Sequence, residues 1–593
     1  MLGHLPPGLI LIAGALLLPL MPRNVRGWGF LVFPILTLLH LGGLDEGARA
    51  TWDFATFELV PLEVDTLANV FGWIFALVTL IAGIYALHIR DTGQQSSALL
   101  YAGSGLGAVY AGDLFTLVFF WEIMAFSAAY LVWARGTAES YDSAMRYLFV
   151  HIFGGSLLLG GVLWHLSETG SLAFQAFEPG WPAYLILAGF AVNAAVVPLH
   201  AWIADAYPRG TLTGSVFLSA FTTKTAVYTM ARGFSGWEIL VWAGVLMAVY
   251  GVTYAILAND IRRVLAYHIV SQVGFMVVGV GIGTPDALNG ATSHAYTHIL
   301  YKGLLFMATG AVIYATGRSR MTELGGLMGK LPWTFWAYMV AALSISSAPF
   351  FSGFVSKPMT IHAAEYDSTA TVVLLLHLAS VGTFLSVGLK VPYYTWFGEQ
   401  RDVPVKPIPW NMYAAMGIGA GLNIIMGLWP GPLYDILPYP VEFDPYELKN
   451  LKKGFQLLLF TALGFFLIAH RLAPKAKVQL DTDWFYRRAD RVAWDWTVAP
   501  VARFFSWWEE FSWKAAGDVA RVGRDPVGWI QDRLGAGRAG APVPEASAAS
   551  SPRASGTAGS ASVPESTLAR ASMTLMMGIF LLAVLVVLAR TLF

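Results

Sequence analysis

The chain has 593 residues, 56% of them hydrophobic and only 12% charged, with no net charge and a mean hydropathy of +0.58. Soluble globular chains carry about 25% charged residues, so lipid is the main solvent here, and 22 Trp and 37 Phe suit that solvent. A net charge of zero gives no electrostatic case for nucleic acid. The absence of cysteine excludes disulfides, cysteine-ligated iron–sulfur clusters and thiol catalysis within the chain.

The first apolar stretch, Leu5 to Met21, lacks a basic start and is followed quickly by a second, so it reads as a membrane span rather than a cleaved signal peptide. A span needs roughly 20 apolar residues, and about sixteen segments meet that rule. They centre near Gly14, Pro34, Val78, Gly103, Ile123, Leu157, Gly189, Ala220, Leu246, Val277, Leu304, Val340, Ser380, Gly417, Leu463 and Leu582, with those near Val340 and Ser380 interrupted. Lys and Arg concentrate in alternate loops, at Arg23 and Arg26, Arg90, Arg135, Arg209, Arg262 with Arg263, Arg318 with Arg320, and Arg401 with Lys406. The loops between them are poor in base and often acidic, as at Asp45, Glu46, Asp53, Glu58 and Glu63. This predicts a multi-pass protein of a bacterial inner (plasma) membrane with its N-terminus outside. Lys449, Lys452 and Lys453 resist the pattern. From Asp481 to Asp532 the sequence is Trp-rich and charged at near-helical spacing, which predicts helices lying in the membrane interface. An anchor with no chemistry is the simplest reading of that tail. Gly535 to Ser566, mostly Ala, Gly, Pro and Ser, reads as a flexible linker, and Met573 to Leu592 as a last span.

Ionisable groups inside spans are costly and usually mark ion paths. Glu122 lies mid-span with almost wholly apolar flanks, as a proton carrier or as the structural partner of a buried cation. Asp113 stands at the start of the same helix, where an N-cap is its simpler role. Lys224 lies about two turns before Arg232, well inside its span. A desolvated lysine there can release and regain a proton, unless it snorkels to an interface. His294, His298 and Lys302 follow at i, i+4 and i+8, which aligns them on one helical face as a candidate relay. Two histidines four apart also suit zinc, but no HExxH motif supports a metal. Structural hydrogen bonding by one histidine is a further reading. Lys390 precedes Pro392, and proline weakens a helix, so a broken helix beside a buried lysine is predicted there. Pro198, next to His200, is a second candidate break. The expected set is thus Glu122, Lys224, His294, His298, Lys302 and Lys390 for proton transfer, with Asp113, Asn193 and His200 accessory and no cofactor, metal, redox or hydrolytic centre.

The stretches AGDLFTLVFFWE, VPLHAWIADAYP, LSAFTTKTAVYTMARGF, NDIRRVLAYHIVSQVGF, SHAYTHILYKGLLFMATGAVI, LGGLMGKLP and LSISSAPFFSGFVSK run in order from Ala111 to Lys357. In order and spacing they resemble the antiporter-like subunits shared by Mrp-type multisubunit cation/proton antiporters and respiratory complex I. GLKVPYYTWFGE is most similar to the D-type subunit of the Mrp antiporters. The resemblance implies an all-α polytopic fold of about fourteen core helices in two inverted repeats, each with a broken helix. It divides the chain into N-terminal spans (1–110), a first repeat (111–235), a second repeat (236–400), closing core helices (401–472), an amphipathic segment (473–534), a linker (535–568) and a final span (569–593). It implies that Glu122 is the acid of the first half-channel, Lys224 the lysine of the following helix, the His294–His298–Lys302 face the central relay and Lys390 the terminal lysine. One departure stands out: the family usually has a lysine five residues before the proline of PLHxW, and Asn193 occupies that place.

Three functions fit. Sodium/proton antiport within an Mrp-type complex is favoured by the Lys390 region. The others are a proton-pumping subunit of a quinone oxidoreductase or membrane hydrogenase, and energy coupling for inorganic-carbon uptake. Each implies other membrane subunits as partners. A passive scaffold gains nothing from the cost of the buried charges.

Overall fold

A computed structural model describes residues 4–476, 480–484, 499–524 and 526–533. The expected linker and final span lie outside the described residues. The chain begins with α1 (Pro7–Leu17) and α2 (Arg26–Leu41), then an antiparallel hairpin of β1 (Arg49–Phe54) and β2 (Phe57–Glu63). This small sheet is an addition to the all-helical expectation. It is held because the acidic loop finds polar partners at the helix ends: the Val60 amide donates to the Asp113 carboxylate at 2.7 Å and the Gly112 amide to the Val60 carbonyl at 2.9 Å.

The spans continue as α3 (Thr66–Tyr85), α4 (Thr92–Val109), α5 (Leu114–Trp133), α6 (Ala138–Thr169), α7 (Trp181–Ala194), α8 (Ala201–Arg209), α9 (Gly214–Leu218), α10 (Thr222–Gly233) and α11 (Glu238–Leu257). They are followed by α12 (Ile261–Ile282), α13 (Pro285–Thr316), α14 (Pro332–Ile345), α15 (Lys357–Asp367), α16 (Ala370–Thr383), α17 (Trp410–Leu428), α18 (Gly431–Tyr434) and α19 (Leu448–Ile468). From Phe384 to Phe397 helix α16 runs on largely as π-helix. Among the described residues nine helices are long and apolar enough to cross a bilayer. The N-termini of α3, α4, α5 and α12 are fixed by Asp65, Asp91, Asp113 and Asp260, whose carboxylates accept amides of the first turn. A separate unit holds α20 (Ala499–Arg524) and α21 (Pro526–Arg533). On α20, Phe504, Phe505, Trp507, Trp508, Phe511 and Trp513 are exposed.

The repeat is legible in helix lengths. Helices α5, α6 and α7 have 20, 32 and 14 residues; α12, α13 and α14 have 22, 32 and 14. Both 14-residue helices end four residues before a proline, Pro198 and Pro349, and each span then resumes as a second half-helix, α8 or α15. Five spans separate the start of α5 from the start of α12, with α7–α8 and α9–α10 each counted as one. An odd number reverses the chain, so the two copies cross the bilayer in opposite senses. His151 on α6 and His298 on α13 occupy the same position in their paired helices.

Helices α12 and α13 form the interior, with 94% of their apolar windows buried, against 11% for α19 at the rim. Two of the three lysines that resist the charge pattern are neutralised locally: Lys453 pairs with Glu365 and Lys449 with Glu447. Helices α11 and α12 touch backbone to backbone, since a Cβ at Gly274 would stand 2.5 Å from the Gly244 carbonyl, and one at Gly244 the same distance from that of Gly274. Gly274→Val is therefore expected to overpack this seam by about 1–3 kcal/mol. The check is a lower melting temperature of the detergent-solubilised protein, followed by fluorescence size-exclusion after heating.

Candidate functional site

The site is built from the inside out, around α13. His294, His298 and Lys302 are wholly buried on one face, with the two imidazole centroids 6.2 Å apart. His294 Nδ1 lies 3.4 Å from Ser356 Oγ, which is 2.7 Å from Thr297 Oγ1, and Tyr301 Oη stands 3.5 Å from His294 Nε2. Among the described residues, neither ring nitrogen of His298 nor the Lys302 ammonium has a hydrogen-bonding partner. His268 of α12 is held by Ser386 Oγ at 2.7 Å and lies within electrostatic range of Lys302 and Lys357. Lys224 in turn lies within range of His294, His298 and Lys302. The structure thus gathers Lys224 and the α13 face into one cluster.

Backbone carbonyls, not carboxylates, hold two of the lysines. The break between α9 and α10 frees the Ser219 carbonyl, which accepts from Lys224 Nζ at 2.6 Å. The C-terminus of α11 leaves the Ile256 and Ala258 carbonyls open, and Lys390 Nζ donates to both, at 2.5 and 3.2 Å. Lys390 does not flank a broken helix as expected. Pro392 is absorbed into the π-helical run, whose wider turn tolerates a missing amide. A further break with a lysine lies between α14 and α15, where Ser347 and Phe350 adopt positive φ and the helix restarts at Lys357. Lys357 is 1% exposed, its ammonium 4.6 Å from the centre of the Phe275 ring and, among the described residues, without a hydrogen-bond acceptor. Sequence reasoning did not select Lys357, although Pro349 and Gly353 just before it mark the interruption.

Glu122 is half-buried on α5 and faces Gly155 of α6, where any side chain would collide with its carboxylate. Among the described residues it has no hydrogen bond or ion pair, so the Glu–Lys pair suggested by the sequence is not formed. His151 on α6 stacks on Tyr147 at 3.9 Å and leaves Nε2 without a protein partner; Asn193, fully buried at the end of α7, leaves both side-chain atoms so. Tyr101 and Tyr147 meet Thr222, at the start of α10, at 2.6 and 3.3 Å.

Asp113 is the N-cap of α5 and ties the hairpin to it. His200, at the break after α7, lies 3.2 Å from Asp481, a residue not selected from the sequence. The Asp481 carboxylate also accepts from Tyr250 at 2.7 Å and Tyr267 at 2.5 Å, and Thr482 Oγ1 reaches the Pro198 carbonyl at 3.1 Å. Burial alone raises the Asp481 pKa, but the contacts with His200, Tyr267 and Tyr250 outweigh it and hold the carboxyl below the usual range. Its position in a Trp-rich tail gave no sign that it would pack against helices more than 200 residues earlier. Among the described residues no group of three His, Asp or Glu side chains is placed to hold a metal ion.

A polytopic helical protein with two inverted helix breaks and buried lysines beside its helix interruptions has the build of an ion-translocating membrane subunit. Residues 111–386 match the family model described as NADH:quinone oxidoreductase/Mrp antiporter, transmembrane. The chain is 29% identical to the D-type subunit of the Na(+)/H(+) antiporter of Alkalihalophilus pseudofirmus over 58% of this chain and 75% of that protein. It is 31% identical to an uncharacterized protein of Methanocaldococcus jannaschii over 60% of this chain and 79% of that one. A chain of the Mrp complex from Dietzia sp. superposes with a TM-score of 0.73 at 23% identity, covering 91% of this chain and 64% of that one. This chain therefore spans less than two thirds of that Mrp chain. The protein belongs to the NADH:quinone oxidoreductase/Mrp antiporter transmembrane family, as an antiporter-like subunit.

Asp481→Ala leaves the buried Tyr267 hydroxyl without its acceptor, which costs about 1–3 kcal/mol, and removes the carboxylate from beside Tyr250 and His200. Faster tryptic cleavage at Lys475 in membranes, relative to Asp481→Asn, is the expected outcome.

Proposed function

We propose that this chain carries protons across the bilayer as the D-like subunit of an Mrp-type sodium/proton antiporter. The observation that carries the reading is the set of ionisable groups inside the spans: half-buried Glu122, the cluster of Lys224, His294, His298 and Lys302, and buried Lys357 and Lys390. It spans both inverted copies, and many of its polar atoms have no protein partner. Buried polar groups are normally satisfied, and water is the partner that also conducts protons along such a line. Protonation of Glu122 changes the field at the buried lysines, and the proton moves along His298 and Lys302 without covalent chemistry. The relative named as an Na(+)/H(+) antiporter component supports sodium as the exchanged ion. The alternate basic loops support a bacterial inner membrane with the N-terminus outside. Because the family also includes NADH:quinone oxidoreductase subunits, the second reading is the proton arm of a redox complex.

Glu122→Gln is expected to abolish proton transport in everted vesicles while the complex still assembles; wild-type transport by that variant would refute the reading. Lys357→Ala is expected to reduce transport more than Lys390→Ala, because Lys357 stands at the helix break without a hydrogen-bond acceptor. A mild-detergent pull-down from native membranes separates the two complexes. Small membrane subunits alone support antiport, and flavin or iron–sulfur subunits support the redox pump.

A further inference from the structure

One buried imidazole in the first inverted copy has no part in the path described so far. His151 of α6 is 1% exposed. Its ring stacks on Tyr147 with centroids 3.9 Å apart and meets the edge of Trp202 at 4.5 Å. Nδ1 lies 2.8 Å from the Tyr147 carbonyl. A carbonyl only accepts, so Nδ1 carries the hydrogen and the lone pair of the neutral ring sits on Nε2. Among the described residues Nε2 has no hydrogen-bonding partner. Packing alone does not call for a buried base held in one tautomer.

Neighbouring helices bring polar groups close to it. Gly155 stands one turn beyond His151 on the same face of α6, and the Glu122 carboxylate of α5 fills the space that a side chain there would take. Positions four apart on a helix are about 5–6 Å apart at Cβ, a gap that water bridges. Between α6 and α7, Gly161 packs on Ile186, Leu158 on Gly189 and Gly154 on Val192. This antiparallel register brings Asn193 level with Gly154, less than one turn from His151. Asn193 is wholly buried, and among the described residues neither its side-chain atoms nor the Trp121 indole nitrogen has a hydrogen-bonding partner. Toward α10, Tyr147 Oη lies 3.3 Å from Thr222 Oγ1, two residues before Lys224. The hydroxyls of Thr223 and Thr225, on either side of Lys224, are likewise without a partner among the described residues.

We propose that His151 is the proton relay of the first inverted copy, with Asn193 as the fixed polar group that holds bridging water beside it. The proposal rests on the reading of the chain as a proton carrier. Protonated Glu122 gives its proton through water to His151 Nε2, leaving a carboxylate and an imidazolium. The imidazolium gives up that Nε2 proton through water to the neutral amine of Lys224, while Nδ1 keeps its hydrogen on the Tyr147 carbonyl. His298 has the same position on α13 and lies within electrostatic range of Lys224. Lys224 therefore links the imidazoles of the two copies.

The test uses the intact complex in everted vesicles. His151→Gln keeps a polar side chain but cannot carry a proton. It is expected to lower proton transport about a hundredfold, with assembly and melting temperature as in the wild type. Adding Asn193→His to that variant returns an imidazole from the neighbouring helix, and transport is expected to recover at least about tenfold. A histidine that only packs against Tyr147 cannot be replaced from α7. Wild-type transport by His151→Gln overturns the proposal, and so does a double variant that assembles and melts normally yet stays inactive. Should His151→Gln fail to assemble, Tyr147→Phe keeps the ring stack and removes only the hydroxyl at Thr222. A severalfold loss of transport is then expected, and an unchanged rate overturns the proposal. Glu122→Gln tests the underlying reading separately. Wild-type transport by that variant defeats the proton-carrier reading, whereas its loss beside full transport by His151→Gln defeats the relay alone.

Discussion

Everything in this fold depends on how a cation is kept inside a bilayer. A helix satisfies its own backbone, so an intact span offers an ammonium nothing to bind. Interrupting or ending the helix leaves carbonyls free, and the protein places lysines at those points: Lys224 on Ser219, and Lys390 on Ile256 and Ala258. Buried Arg262 follows the same rule, donating to the Pro208 and Gly210 carbonyls at the C-terminal end of α8. A carbonyl is a fixed dipole rather than a full charge. It lowers the cost of holding the ammonium without locking it into an ion pair, which suits a group that must gain and lose a proton.

Lys302 and Lys357 are held less tightly. Among the described residues Lys302 has no hydrogen-bonding partner, and Lys357 rests on the face of Phe275. They stand on α13, in the interior, and at the start of α15 just after the second break. The better-bonded lysines lie to either side of them in the chain. The gradient from held to unheld cations gives the line of ionisable groups its physical sense. Charge is easiest to displace where least holds it.

The inverted pairing of α5–α7 with α12–α14 explains why the two halves differ in detail while sharing a plan. His151 and His298 match in position, yet only His298 has a lysine four residues on, and the first half has Asn193 before its break. Asp481 adds a carboxylate to that first break from the far end of the sequence. It fastens the start of the C-terminal extension to helices of both copies through His200, Tyr250 and Tyr267.

Much of this was legible beforehand. Composition alone made the chain a membrane protein, because 12% charge cannot coat a soluble surface. The i, i+4, i+8 spacing put His294, His298 and Lys302 on one face, because helical geometry is local. The capping role of Asp113 followed from its place before an apolar run. What only tertiary structure decided were contacts between residues distant in sequence. No local rule separates a proline that breaks a span, as Pro198 and Pro349 do, from one absorbed in a π-helix, as Pro392 is. The carbonyls that receive Lys390 belong to a helix more than 130 residues earlier, and the partners of Asp481 lie further away still. Sequence periodicity reports which face of a helix is buried. Which buried groups meet depends on packing between helices, and so the lysine at the second break emerged only from the fold.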